Sequence, residues 1–321
     1  MSTVAETQTK KASGIRSNRK RELSDKTIRN LFIFPTLALL VAINVFPLMY
    51  SLYLSFTEYS AIANKQPVWI AFENFSRVLS DERMWGFFTT TGQYVIFSVV
   101  LQLILGFFLA MLVRDKFFGS GLVTTLILVP MMLSPVVVGL FWKLMYNPSF
   151  GYINYLLGLS DPAIAPDWLA SRFAGEPTPG LALWAVIFVD VWMWTPFVML
   201  LILSGLKAIP DYLYEAAAID RASSWFQFWR ITLPQVAPLM MIAVLFRTIE
   251  AFNKSFDLVM GMTGGGPGTQ TEVIAVTLYR QAFQGQWQTG RASALAYMML
   301  IIIIAISNLY IRNLNRVKEG G

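Results

Sequence analysis

The sequence contains no cysteine and no histidine, and few of its residues are charged. Without these two residue types the chain has no disulfide, no thiol nucleophile, no imidazole base and none of the commonest metal ligands. Enzymes built on histidine or cysteine chemistry are therefore excluded, whereas carboxylate or serine chemistry stays open. We expect no metal site and no cofactor.

Charged residues make up 14% of the 321 residues and apolar residues 55%. A soluble domain of this length has about a quarter of its residues charged. The deficit indicates that a lipid bilayer surrounds much of the chain. No Gly-rich phosphate-binding loop of the Walker type is present, so the chain itself is not expected to hydrolyse ATP.

Six stretches are long and apolar enough to cross a bilayer, which takes about 20 residues. They predict an all-α integral membrane protein. Its transmembrane domain comprises residues 31–312, with a basic N-terminal tail at 1–30 and a C-terminal tail at 313–321. The fifth stretch is interrupted by charges, and an interfacial or partly re-entrant segment is the alternative there. The predicted spans are 31–55, 91–113, 120–143, 181–206, 235–257 and 292–312.

Basic residues are concentrated in the segments that six spans place on one side of the membrane, together with both termini. Positive charge favours the cytoplasmic side, so both termini are predicted to be cytoplasmic. The net charge of +6 is read as a topology signal, and no nucleic-acid module is visible. These basic residues are Lys10, Lys11, Arg16, Arg19, Lys20, Arg21, Lys26, Arg29, Arg114, Lys116, Lys207, Arg221, Arg230, Arg312, Arg316 and Lys318.

The predicted inner loop 207–233 contains two short helices. The first begins at Pro210 or Asp211, both favoured at helix N-termini. A second is predicted from Ser224, which forms a capping box with Gln227. Aromatic residues crowd this second helix, so the loop either docks a soluble protein or lies on the bilayer surface.

This loop resembles the EAA motif of ABC importer permeases: Glu215-Ala216-Ala217 matches its start, and Ile231 with Leu233-Pro234 falls in register. One departure is Arg221, which stands where the family has glycine. Further segments resemble the sugar-type branch, which includes the first permeases of maltose, lactose, glycerol-phosphate and polyol importers. These segments are Phe72–Phe75, Leu128–Pro130, Pro135–Leu140, Asn147-Pro148, Phe256–Leu258, Thr263–Pro267 and Tyr279–Phe283.

The resemblance implies a type I ABC importer permease fold in a bacterial inner membrane. It also implies four partners: a second homologous permease, a dimeric ATP-binding cassette ATPase, an extracytoplasmic solute-binding protein and a sugar-like solute. The loop would then form coupling helices that contact the ATPase. The residues implied in that contact are Glu215, Ala216, Ala217, Ile219, Asp220, Arg221, Ala222 and Trp225.

Charges inside the predicted spans are costly and usually face a partner or a cavity. Asp190 and Arg247 lie near the middle of the fourth and fifth spans, since each residue advances a helix by about 1.5 Å. We therefore predict that they pair. On the fifth span polar residues recur every three or four positions, which places them on one helical face: Arg247, Glu250, Asn253, Lys254 and Asp257.

That polar face lines a solute path, forms a seam against the partner permease, or places its groups at the outer membrane surface. Trp194 is a further candidate, since an aromatic ring stacks on a sugar. An ion-gradient-driven secondary transporter is the alternative function, with Asp190 and the polar face as ion sites. A third hypothesis is a membrane enzyme using Asp190 with Glu250, which no further constellation supports.

Overall fold

The computed structural model describes residues 24–319, apart from 64, 65, 116, 160, 162, 163 and 286. Most of the predicted N-terminal tail, Lys116 and the last two residues lie outside the described part, as do the side chains of residues 314–319. The helices are α1 (Asp25–Ser55), α2 (Glu73–Ser80), α3 (Glu82–Leu112), α4 (Ser120–Leu128), α5 (Pro135–Met145), α6 (Tyr152–Leu156), α7 (Leu181–Ala208), α8 (Asp211–Ile219), α9 (Ser224–Gln227), α10 (Leu233–Met262), α11 (Ile274–Phe283) and α12 (Thr289–Glu319).

Two short antiparallel hairpins complete the regular structure. β1 (Thr57–Glu58) pairs with β2 (Val68–Trp69), with Thr57 opposite Trp69. β3 (Arg172–Phe173) pairs with β4 (Glu176–Pro177), with Phe173 opposite Glu176. Both hairpins lie between predicted spans. The described part of the chain is otherwise largely helical, as expected.

The chain divides into two compact units, one that ends at Ser51 and one that begins at Leu52. The first unit contains most of α1, which stays helical through Pro35 and Pro47. All later elements belong to the second unit.

Five helices among the described residues are long and apolar enough to cross a membrane. They lie at Arg29–Ser55, Glu82–Leu112, Leu181–Ala208, Ser224–Met262 and Thr289–Asn313. The fifth predicted span, interrupted by charges, is thus one continuous helix, α10. The third predicted span, 120–143, is not one helix.

The break in that third segment follows from its two prolines. α4 ends at Leu128, a 3₁₀ turn occupies Pro130–Met132, and α5 begins at Pro135. Ser134 is extended, with ψ 132°, because the residue before a proline is disfavoured in the helical region. A proline also lacks the N–H that would continue the helical hydrogen bonds. The two prolines therefore accompany a full interruption of the helix and not a kink within it.

Helices α3 and α7 form the centre of the second unit, and α10 packs across α3, α5 and α7. Glycines allow the closest approach: a Cβ on Gly139 of α5 would lie 3.3 Å from the Cα of Gly261 on α10. Two clusters of buried apolar side chains follow the helices, one around the first halves of α3 and α7 and one around their last halves. Small residues at such contacts are typical of membrane helices.

Candidate functional site

A network of polar side chains joins α3, α7 and α10 within the predicted spans. Arg247 on α10 places its Nη2 atom 3.2 Å from Oδ2 of Asp190 on α7. Gln102 on α3 donates from Nε2 to Asp190 Oδ2 at 2.8 Å, and its Oε1 accepts from Arg247 Nε at 2.8 Å. The predicted pairing of Asp190 with Arg247 is therefore confirmed, and a glutamine bridges the two charges.

The network continues from the buried pair towards the surface of α10. Glu250 receives Arg247 Nη1 at 3.2 Å and Lys254 Nζ at 2.8 Å, so positive and negative groups alternate along the helix. Arg247 and Asp190 are buried, Glu250 is half-buried and Lys254 is exposed. Alternation of sign offsets part of the desolvation cost of placing charges in a low-dielectric region.

Trp194, the predicted aromatic, lies against this network. The Cζ atom of Arg247 stands 4.7 Å from the centre of the Trp194 ring, a cation–π arrangement. One turn earlier on the same helix is Asp190, so the guanidinium is held between a carboxylate and an aromatic face. The Trp194 ring itself is half-buried.

The predicted polar face of α10 is divided by burial. Arg247 points into the helix packing, whereas Asn253 and Lys254 are exposed and Asp257 is half-buried. The residues do share a side of the helix, but only its later part is exposed. Glu250 lies between the buried and the exposed part of this face and pairs with both Arg247 and Lys254.

Gln102 and its neighbours are the part of this site that we did not predict. The side chains of Tyr94 and Ser98 precede it at intervals of four, and all three are buried on one side of α3. Gly106 and Ala110 extend the same row. The sequence signal that could have found Gln102 is this row of polar and small residues at every fourth position of a charge-free span. Such a row marks a helix face that packs on another helix.

The predicted inner loop forms the second region of interest. α8 begins at Asp211 as expected and ends at Ile219. Arg221, at the position where glycine was expected, has φ 52°, in the left-handed region. The turn therefore keeps the backbone for which glycine is suited, at a cost of about 1–2 kcal/mol for another residue.

The second helix of the loop is capped one residue earlier than predicted. Ser223, not Ser224, is the N-cap, and its Oγ accepts from Phe226 N at 3.3 Å. Gln227 does not close a capping box. Its Nε2 donates instead to the carbonyl of Ala222 at 3.0 Å, because it lies one position too far along.

The loop presents an open apolar surface. Ile219 is among its most exposed residues, and Trp225 is 71% exposed. Glu215, Ala216 and Asp220 are exposed too, while Ala217 and Ala222 are half-buried. A five-residue π-helix, Phe228–Thr232, connects α9 to α10, a feature that frequently marks functional sites.

Tyr214 anchors this loop to the membrane helices. Its hydroxyl lies 2.9 Å from Thr232 Oγ1 at the start of α10 and accepts from Arg114 Nη1 at 3.4 Å. The Arg114 guanidinium also stands 4.7 Å from the Tyr214 ring centre. Because Arg114 follows the end of α3 and Thr232 precedes α10, Tyr214 connects α8 to both helices.

The glycine-rich loop 264–268 is held by a charge pair. Arg280 Nη1 lies 2.7 Å from Glu272 Oε2, and Arg280 Nη2 donates to the carbonyl of Gly264. Thr271 Oγ1 donates to Gly266 O at 2.7 Å. The loop thus has a defined conformation, which positive φ values at Gly264 and other glycines permit.

Residues 102–318 match the family described as binding-protein-dependent transport system inner membrane component. The probable ABC transporter permease protein y4oQ of Sinorhizobium fredii is 34% identical, covering 95% of this chain and 94% of that protein. The trehalose/maltose transport system permease protein MalF of Thermococcus litoralis is 32% identical, covering 88% of this chain and 92% of that protein.

Solved structures agree on the fold. One is a bacterial ABC transporter involved in the import of the acidic polysaccharide alginate, with TM-score 0.75, 21% identity, and coverage of 91% of this chain and 97% of that chain. Another is a bacterial alginate ABC transporter in complex with an alginate pentasaccharide-bound periplasmic protein, with TM-score 0.73, 20% identity, and coverage of 89% and 94%. At these identities the likeness establishes the fold alone.

Proposed function

The chain belongs to the family of binding-protein-dependent transport system inner membrane components, and on this premise we propose that it is the first permease subunit of an importer for a carbohydrate, polyol or related derivative. It is a multi-pass permease and not the ATPase of its transporter. The observation that carries the choice of solute is the near full-length similarity to a trehalose/maltose permease. This family membership displaces the secondary transporter as an explanation of the charged residues.

The proposed path through the membrane has six crossings. Five are the long apolar helices, and the third is made by α4 and α5 with the proline-containing turn between them. Interrupted helices are tolerated within a membrane where protein covers the free backbone groups. Both termini and the loop 207–233 then lie on the cytoplasmic side, which the concentration of basic residues there supports.

The inner loop is proposed to dock the ATPase dimer. Its exposed Ile219 on α8 and Trp225 on α9 supply an apolar contact, and Glu215 on α8 supplies a charge. Tyr214 ties α8 to α3 and α10, so movement of the loop is passed to the helices that carry the buried network. A second, homologous permease would complete the path.

The solute path is proposed to run along the open part of α10. Glu250 and Asn253 offer hydrogen-bonding groups for hydroxyls, whereas Asp190 and Arg247 are occupied with each other and with Gln102. We therefore assign the buried pair to holding α3, α7 and α10 together. Trp194, Lys254 and Asp257 border the same region.

Replacement of Glu215 tests the coupling assignment. Glu215→Ala is expected to lower ATPase retention in the purified complex by about tenfold, equivalent to about 1.4 kcal/mol. Glu176→Ala, the same change on an exposed outer hairpin, is the control. Unchanged ATPase retention and unchanged sugar uptake in Glu215→Ala would refute the assignment, and absence of any ATPase from the wild-type complex would refute the function itself.

A further inference from the structure

A cavity of about 240 Å³ lies at the start of α3, beside α11 and the start of α12. The charged and amide residues of its lining are Asp81, Arg83, Arg280, Gln281, Gln284 and Arg291. We call it the Arg83 cavity. A larger cavity of about 450 Å³ adjoins it, and Arg291 lines both.

Positive charge is in excess within the Arg83 cavity. Arg291 Nη2 lies 2.9 Å from Asp81 Oδ2, and Arg83 Nε lies 3.4 Å from Asp81 Oδ1, so two guanidinium groups share one carboxylate. Arg280 has its own partner in Glu272. The three arginines of the lining therefore share two carboxylates, which leaves an excess of one positive charge.

Hydrogen-bonding capacity is also unused there. Among the described side chains, Arg291 Nε is buried and makes no hydrogen bond, and the same holds for Gln281 Oε1. Buried polar atoms without partners are uncommon, and of these two only the Arg291 Nε donor is complementary to an anionic group. Arg83 itself is 83% exposed and stands at the rim.

The Arg83 cavity and the inner loop lie at opposite ends of α3. Asp81 caps the first turn of α3, and Arg114, just beyond its end, contacts Tyr214. The 31 residues of α3 span about 45 Å, more than the thickness of a hydrocarbon core. With the ATPase on the inner loop, the cavity faces the side from which a soluble binding protein arrives.

We propose that the Arg83 cavity receives an acidic side chain of the solute-binding protein during docking. The inference rests on the proposed function, since it requires a binding protein on the outer side. Pockets for small ligands are usually about 300–1,000 Å³, so this smaller cavity suits a single side chain. An arginine offers a carboxylate two parallel hydrogen bonds, and the exposed Arg83 steers an approaching negative charge.

The test uses the complete transporter in nanodiscs with the purified solute-binding protein that stimulates its ATPase. Arg83→Glu is expected to weaken binding-protein affinity about tenfold and to reverse or flatten its dependence on salt, because an attraction becomes a repulsion. The affinity of Arg83→Gln for the binding protein is expected to lie between those of the wild type and Arg83→Glu. Arg172→Glu, the same reversal at an exposed arginine of the β3–β4 hairpin, is the matched control and keeps wild-type affinity.

A charge swap makes the test specific. Acidic surface residues of the binding protein are changed one at a time to arginine, and one such change is expected to restore affinity for Arg83→Glu while weakening binding to the wild type. The proposal is overturned if both Arg83 variants bind within twofold of wild type, if Arg172→Glu is equally impaired, or if no swap restores binding. A wild-type complex that no binding protein stimulates would instead contradict the proposed function.

Discussion

Arg247 Nη2 and Asp190 Oδ2 lie 3.2 Å apart with their side chains 1% and 5% exposed, which makes them a buried ion pair between α10 and α7. Removal of one member of such a pair costs about 3–5 kcal/mol because the other charge stays buried. We predict that Asp190→Arg and Arg247→Asp each abolish assembly of the complex, measured by co-purification of the second permease.

The double exchange is expected to recover assembly only in part. Arg247→Asp places a carboxylate next to Glu250, which loses its arginine and keeps Lys254. Gln102 tolerates the exchange because its amide has both a donor and an acceptor end. No recovery at all in the double variant would contradict a pairing that holds the helices together.

Gln102 provides a second test of the same network. Gln102→Leu keeps the approximate size of the side chain but removes hydrogen bonds to Asp190 and Arg247, and it should lower stability by about 1–3 kcal/mol. Ser98→Ala is the matched control one turn earlier on α3, because Ser98 Oγ is buried without a partner and its loss is expected to be neutral. Thermal unfolding in detergent measures both, and equal melting temperatures for the two variants would show that Gln102 contributes nothing.

Arg221 predicts a gain of stability on substitution. Its φ of 52° costs an arginine about 1 kcal/mol relative to glycine, so Arg221→Gly should stabilise the turn between α8 and α9 by up to about that amount. Arg221→Ala removes the same side chain but keeps the strained backbone, and it should show no gain. Hydrogen exchange of the Ala222 amide, which donates to Ala217 O, reports on this turn directly.

Equal exchange protection of the Ala222 amide in Arg221→Gly and Arg221→Ala would contradict the prediction that glycine relieves backbone strain at this position. ATPase retention, measured in parallel, separates a local effect from a change in docking. If the arginine side chain itself contacts the ATPase, both variants lose affinity together.

Some of this site was accessible from the sequence and some was not, for physical reasons. Counting residues along two helices gave similar depths for Asp190 and Arg247, and the high cost of a lone buried charge made their pairing predictable. An uncharged glutamine such as Gln102 carries no comparable penalty, so its role depends on the rotation of α3 against α7, which hydropathy does not report.

The third span shows the same limit for the fold. Proline disfavours a continuous helix at Pro130 and Pro135, but a kinked helix and two short helices joined by a 3₁₀ turn have the same composition. Packing of α5 on α10 through Gly139 accompanies the second arrangement. In the inner loop, likewise, the choice between Ser223 and Ser224 as the cap depends on where the turn at Arg221 ends.

Asp81 predicts how the outer end of α3 responds to acid. Burial raises the pKa of this carboxyl. Hydrogen bonds from the Arg291 side chain and from the backbone and side chain of Arg83 lower it by more, so the net pKa is below the ordinary value of 3.8. A lowered pKa in the folded state means that the carboxylate stabilises the fold above pH 3.8 and that this contribution is lost as pH falls through the lower folded value.

Asp81→Asn should therefore lower the melting temperature by a constant amount from pH 8 to about pH 5. Over this range the wild-type carboxyl stays ionised, because its folded and unfolded pKa values both lie below it. As pH falls below the ordinary pKa and then through the lower folded pKa, the wild type becomes protonated as well, and the difference between the two proteins should shrink towards zero. Glu82→Gln, an exposed neighbour, serves as the control. A difference that already shrinks between pH 8 and pH 6 would mean that Asp81 is not held ionised by its two arginines.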